Sequence, residues 1–204
     1  LLYAAGVEGD ELDLSGKLGG DRPTVLAVVC ALLGSLRLLD LSSNKLGPKG
    51  AVLIAEALKV NNSLTEINLK DNNLGDEGWC AIFEALQVNR GNQITKWDLD
   101  SQGINPTIAK SLVDYVKVSS SLVELSLCLN ELGDKEAKLI GAVLIDNSLL
   151  TSLSLYDNNI GTDGGASIAK ALKVNETMTW VNLDGFSLPV KMLKGTEQVE
   201  RLNF

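Results

Sequence analysis

The sequence predicts an α/β solenoid, a right-handed arc with a parallel sheet on its concave face and helices on its convex face. Three observations carry this reading. The first apolar residue of a recurring block falls at Leu36, Leu64, Ile94, Leu122, Leu150 and Met178, at intervals of 28, 30, 28, 28 and 28 residues. A fixed period of this length marks stacked strand-plus-helix units. Each block opens with alternating apolar residues, as at Leu39 and Leu41 between Leu38, Asp40 and Ser42, which describes a short strand with one buried face. Each block then continues with apolar residues at helical spacing, as at Ala51, Ile54, Ala55 and Leu58 or Trp79, Ile82, Phe83 and Leu86. A lone strand and helix cannot bury both apolar faces, so neighbouring blocks must stack. Helices occupy more width than strands, and the stack bends with the sheet on its inner curve.

The elements follow in order. An imperfect first block begins near Gly9, with Leu12, Leu14 and Leu18 in register and a helix from about Pro23 to Leu33. In the full blocks the helix starts are punctuated by Gly47-Pro48, Gly75-Asp76, Asn105-Pro106, Gly133-Asp134 and Gly161-Thr162, residues suited to unpaired helix N-termini. Asn44, Asn72, Asn130 and Asn158 share one position after the strand, and Gln102 replaces them in one block. An amide there can satisfy backbone groups of the turn that stacking removes from water. In the last block Val181, Leu183 and Leu188 match the strand and turn, Phe186 takes the Asn position, and Val199 to Phe204 resumes a strand pattern after a shortened unit. The unbroken period makes residues 1–204 one domain of six to seven repeats. Its start at Leu1 and the strand-like Leu202-Asn203-Phe204 are read as signs of a longer parent chain.

Composition excludes several classes. There is no histidine, so histidine-based nucleophilic triads and histidine metal sites are absent. Cys30, Cys80 and Cys128 are odd in number and lack CxxC spacing, which suits a reducing, cytoplasmic setting better than a disulfide framework. Asn61-Asn62-Ser63 and Asn175-Glu176-Thr177 match glycosylation sequons, but both sit in a recurring Ala-Leu-Lys-Val-Asn helix end. Segments such as Asp71 to Glu77 fail the alternating ligand spacing of a calcium loop, and Gly161, Gly164 and Gly165 do not form a phosphate loop. Asp98 and Asp100 share a strand face without a cleft to shift either carboxyl, so they read as a solvated acidic strand. No catalytic residue, cofactor site or metal site is expected, nor any apolar run of the roughly 18 residues that span a bilayer.

The charge is uneven. The chain carries 26 acidic and 18 basic residues, a net −8. On the outward strand positions the acidic residues are Glu11, Asp13, Asp40, Glu66, Asp98, Asp100, Glu124 and Asp184, against Lys70 and Lys96. The inner wall therefore holds a net −6, which repels phosphate backbones and attracts basic protein segments. Nucleic acid is a poor partner for it. Tyr156 and Trp180 occupy outward positions in adjacent blocks, with Cys128 and Leu129 in the block before, and exposed aromatics of this kind anchor interfaces.

The block Leu-x-x-Leu-x-Leu-x-x-Asn-x-Leu-Gly, repeated over roughly residues 9 to 188 with Ala-Leu-Lys-Val-Asn endings, resembles the ribonuclease-inhibitor type of leucine-rich repeat. That type also occurs in NOD-like receptors, Ran GTPase-activating protein and tropomodulin. The resemblance implies an arc whose inner strands and adjoining loops bind another protein. The chain departs from ribonuclease inhibitors in its single repeat length and few cysteines, and from a Ran-type activator in having no arginine at the turn after a strand. Arg90 lies instead in the two-residue insertion before Ile94. The expected function is a non-catalytic protein-binding module. Its sites would be Tyr156, Trp180 and Leu129 with Asp98, Asp100, Glu66, Glu124 and Asp184, and its partner would have a basic or mixed surface. A scaffold role in a larger assembly is the alternative, with GTPase activation a distant third.

Overall fold

A computed structural model describes residues 7–18, 33–183 and 186–190. The first helix expected at about 23–33, Asp184, Cys30 and the strand-like segment 199–204 lie outside these residues. Among the described residues five strand–helix units follow one another, each unit's strand coming first. The strands are β3 (Leu38–Asp40), β4 (Glu66–Asn68), β5 (Lys96–Asp98), β6 (Glu124–Ser126) and β7 (Ser152–Ser154). The helices are α1 (Gly47–Leu58), α2 (Gly75–Val88), α3 (Pro106–Val118), α4 (Asp134–Asp146) and α5 (Thr162–Val174). All five helices begin at the punctuated positions. Strands β2 (Glu11–Asp13) and β8 (Trp180–Leu183) extend the parallel rows at either side. The register steps by one repeat, Leu12 beside Leu39 and Leu39 beside Ile67, then Trp97, Leu125, Leu153 and Val181 in line.

These central strand residues form one wall of a continuous core. The other wall is the helix stripe, Ala51, Ile54, Ala55 and Leu58 in α1 and Trp79, Ile82, Phe83 and Leu86 in α2, all buried. Truncating one such leucine or isoleucine to alanine costs about 2–5 kcal/mol. Spacing between helices varies with the side chains available. Gly78 and Gly141 sit where a Cβ would meet Ala51 Cβ at 2.7 Å and Ser167 O at 3.1 Å, so α1 and α2, and α4 and α5, approach closely. Between α2 and α3 the space is filled by rings. Phe83 stacks on Trp79 at 5.7 Å and on Tyr115 at 6.2 Å, and Trp97 meets Trp79 and Phe83 edge-on at 6.1 and 5.8 Å.

Two amide ladders knit the repeats. Asn72 Nδ2 donates to Leu69 O and Lys70 O of its own turn and to Leu41 O of the preceding unit, while its Oδ1 accepts from Asn44 N and Leu46 N. Asn44, Asn130 and Asn158 repeat the pattern. The amide therefore serves two units rather than only its own turn. At the helix ends, Asn89 Nδ2 donates to Leu58 O and Asn61 O, and Asn175 Nδ2 to Leu144 O and Asn147 O. The two sequon asparagines are both buried, Asn175 as a donor of this set and Asn61 through its carbonyl, which accepts from Asn89.

The sheet differs from the expectation in three places. Val7–Glu8 forms a strand, β1, antiparallel to β2. Phe186 does not stand at a ladder position, nor Leu188 at a turn. Both belong to β9 (Phe186–Pro189), antiparallel to β8, with Leu188 beside Val181 and Phe186 beside Leu183. The described chain after Leu183 thus returns along β8 as an antiparallel partner instead of opening a turn. Finally, the strands form two sheets, β1–β4 and β5–β9, with no ladder between β4 and β5.

Candidate protein-binding face

Alternation places the predicted wall residues that are described on the open side of the sheet, because the residue between them is committed to the core. In β2, β4, β5 and β6 the central Leu12, Ile67, Trp97 and Leu125 are buried while Glu11, Asp13, Glu66, Lys96, Asp98 and Glu124 are exposed. Across the strands they make three rows. Glu11, Leu38, Glu66, Lys96, Glu124, Ser152 and Trp180 line the first. Asp13, Asp40, Asn68, Asp98, Ser126, Ser154 and Asn182 line the second. Lys70, Asp100, Cys128 and Tyr156 follow in the turns.

The rows divide the wall chemically. Over β2 to β4 carboxylates surround Leu38, in a groove of about 320 Å³ lined by Glu11, Asp13, Asp40 and Glu66. Over β6 to β8, apart from the Glu124 carboxylate, the residues are hydroxyls, a thiol, an amide and aromatic rings. Several predicted acids have structural partners. Asp98 Oδ2 pairs with Lys70 Nζ at 2.5 Å and its Oδ1 accepts from Asp100 N. Asp100 Oδ1 accepts from Ser126 Oγ at 2.6 Å and from Cys128 N at 2.9 Å. Glu124 pairs with Lys96 at 3.6 Å, whereas Glu66 stands exposed. The second-row carboxylates commonly hold their own turn, as Asp40 does by accepting from Ser42 N. Asp13 does the same for Ser15 N at 2.8 Å, and with the Ser15 hydroxyl and the Lys17 ammonium this lowers its carboxyl from the usual 3.8 to about 2. The network continues through Cys128 Sγ, 2.8 Å from Ser154 Oγ.

Leu129 and Tyr156 come together. Both are exposed, at 51% and 43%, and Leu129 N donates to Tyr156 O at 2.9 Å. Leu129 has φ +56°, at a position where Ser43, Asp71, Ser101 and Asp157 adopt the same left-handed backbone in other units. Polar residues tolerate that conformation and a leucine does not readily. Sequence reasoning placed Leu129 at the site but had no means of reading its backbone. Trp180 stands apart. It is half-buried beside Ser152 and Pro189, at the opposite strand end from Tyr156, roughly 13 Å along the strand direction. Arg90 is exposed on the helix-end side and donates to Val118 O at 3.4 Å, away from the turns that follow the strands. Among the described residues no group of three or more Cys, Asp or Glu could hold a metal ion, and no helix is long and apolar enough to cross a membrane.

Comparison with known proteins supports the repeat architecture. A family model described as "Leucine Rich repeat" matches residues 35–55, 60–82 and 146–169. No curated protein sequence is significantly similar to the chain. Among solved structures, the C-terminal domain of tropomodulin from Caenorhabditis elegans aligns with a TM-score of 0.54 at 12% identity, over 87% of this chain and 90% of that one. The leiomodin-1 structure titled as actin-binding site 2 aligns with a TM-score of 0.46 at 18% identity, over 88% of each chain. With its matched repeats, its strand-to-strand step of one unit and its helix row, the chain has a leucine-rich-repeat fold similar to that of the tropomodulin C-terminal domain.

Proposed function

We propose that the protein is a non-catalytic, cytoplasmic recognition module that binds a protein with a basic or mixed surface on the open face of its sheet. Leu129 and Tyr156 form the central anchor, with Trp180 a second contact at the far end of the same strands. Glu66, Glu124, Asp98, Asp100 and Asp184 bias approach and orientation. The observation that carries this reading is the exposed Leu129 in a left-handed turn. It gives up backbone stability to present an apolar side chain next to an exposed tyrosine, and such local strain is a mark of functional positions. The acidic strands contribute more to encounter rate than to final affinity, as exposed charges do. Cytoplasmic placement is supported by the unpaired Cys80 and Cys128 and by the buried sequon asparagines.

Quantitative affinity capture from cell extract tests the proposal. Tyr156→Ala and Leu129→Asn should each abolish proteins that wild type retains, and Glu66→Lys with Glu124→Lys should weaken their capture at low salt. Asp98 and Asp100 suit this test less well, because their loss also disturbs Lys70, Ser126 and Cys128. Retention of the same proteins by all of these variants would sink the proposal. The scaffold reading is favoured by one observation, the exposure of Val60, Val88 and Val174 at equivalent helix ends, 79%, 71% and 59%. It predicts that Val88→Ser with Val174→Ser, not the sheet-face variants, disrupts capture.

A further inference from the structure

We infer that the array pivots at the junction of β4 and β5, so that its two sheets form separately rigid halves of one binding wall. At every other described junction the residue after the strand donates to the next strand's carbonyl. Leu14 donates to Asp40 O, Leu41 to Asn68 O, Leu99 to Ser126 O, Leu127 to Ser154 O and Leu155 to Asn182 O, at 2.8–2.9 Å. Two residues on, Gly16, Ser43, Ser101 and Leu129 repeat the arrangement. The equivalent N–H groups of Leu69 and Asp71 have no such bond to β5 or its turn, although parallel strands ordinarily pair throughout.

The amide ladder fails at the same place. Leu18, Leu46, Ile104 and Leu132 each donate to the next unit's asparagine Oδ1. Leu74 should donate to position 102, but Gln102 carries one methylene more than asparagine, and its Nε2 folds onto Asp100 O at 3.0 Å. Below the junction Trp97 takes a strand position held elsewhere by smaller apolar residues, and with Trp79, Phe83 and Tyr115 it props the two units apart. Two further residues, Arg90 and Gly91, lengthen the connection.

What remains on the sheet side is a joint bridged only at its two ends, while on the helix side Asn105 Nδ2 donates to Asp76 Oδ1 at 2.7 Å. Thr95 N donates to Thr65 O at 3.0 Å, and at the other end the Lys70–Asp98 ion pair spans the gap. Between them lies a cleft of about 250 Å³ lined by Glu66, Ile67, Asn68, Lys70, Lys96 and Asp98. The stacked rings keep the helix side packed while the sheet side opens, which is the geometry of a hinge. The acid-lined strands β2–β4 lie on one side of it and the Leu129–Tyr156 corner on the other. The angle of the joint therefore sets the spacing between the two kinds of surface a partner meets. The pivot itself does not depend on the proposed function.

Hydrogen exchange on the free protein tests the joint. The amides of Leu69 and Asp71 should exchange about tenfold or more faster than those of Leu41, Ser43, Leu127 and Leu129. Gln102→Asn should slow them by restoring an acceptor for Leu74. Movement of the halves is read separately by dipolar broadening between spin labels, in a background with Cys30, Cys80 and Cys128 replaced by serine. Ser43→Cys with Ser101→Cys spans the joint, and Ser101→Cys with Asp157→Cys spans the same number of units on one side of it. The first pair should show a distance distribution about twice as broad. Equal widths overturn the pivot, as do Leu69 and Asp71 amides as protected as their counterparts. If the labelled variants fail to fold, the exchange contrast in the wild-type chain decides.

Discussion

The carboxylate of Asp134 accepts the backbone N–H of Gly164, thirty positions further along the chain, at 2.8 Å, and that of Gly161 at the same distance. A residue at the start of α4 thereby caps α5 of the next unit, supplying the acceptor that Gly161 itself lacks. Asp134→Ala should lower stability by about 1 kcal/mol, measured by urea unfolding. Gly164→Ala should cost at least as much, because its Cβ would stand 2.7 Å from the capping oxygen and 2.9 Å from Ala137 Cβ. An unchanged midpoint in both variants would contradict the inter-unit cap.

Asn72 supports a larger loss. Its side chain makes five bonds to the backbone of two units, and it is fully buried. Asn72→Ala leaves several main-chain groups unsatisfied, each at about 1–3 kcal/mol. We expect a loss of about 3 kcal/mol or more in denaturant unfolding, with Gln102→Ala far milder because Gln102 bonds only within its own turn. Similar effects of the two substitutions would count against the inter-unit role.

Leu129→Asn should separate stability from binding. Asparagine accommodates the left-handed backbone better than leucine, so unfolding should become harder by about 0.5–1 kcal/mol. Partner affinity should fall by more than about 1 kcal/mol. A variant that loses stability would show that Leu129 is held by packing rather than exposed at the site's expense.

Asp13 sets a pH dependence at the first described unit. Its folded carboxyl titrates at about 2 against the usual 3.8, chiefly through the Ser15 N–H and hydroxyl, then Lys17. A depressed carboxyl stabilises the fold above its unfolded value and ceases to do so as pH falls from about 3.8 towards 2. Asp13→Asn should flatten the acid limb of the stability profile in that window. Carboxyl chemical shifts that titrate at the ordinary value would contradict the assignment.

Much of this was legible in the residues themselves. Strand and helix periods are enforced by burial, so Leu39, Ala51 and their equivalents declared both faces, and Gly or Pro declared each helix start. The wall acids were legible for the same reason, since a buried Leu125 obliges Glu124 to face outward. Their partners were not, because Lys70 meets Asp98 only across two units whose relative placement depends on ring packing. The 30-residue interval and Gln102 were both visible as irregularities. Their joint consequence for the sheet required coordinates, as did the positive φ at Leu129, which sequence identity alone does not encode. The hairpin strand β9 was misread because Leu188 keeps an apolar period that fits either a turn or a returning strand.

The buried helix-end amides bear on how the protein can be produced. Asn61 Oδ1 accepts from Leu64 N and Asn175 Nδ2 donates to Leu144 O, so neither amide can carry a sugar in the folded chain. Oligosaccharide transfer acts on sequons in nascent polypeptide. Routing this chain through a eukaryotic secretion host would risk glycans at two sites the fold needs internally, and a bacterial cytosol avoids that conflict.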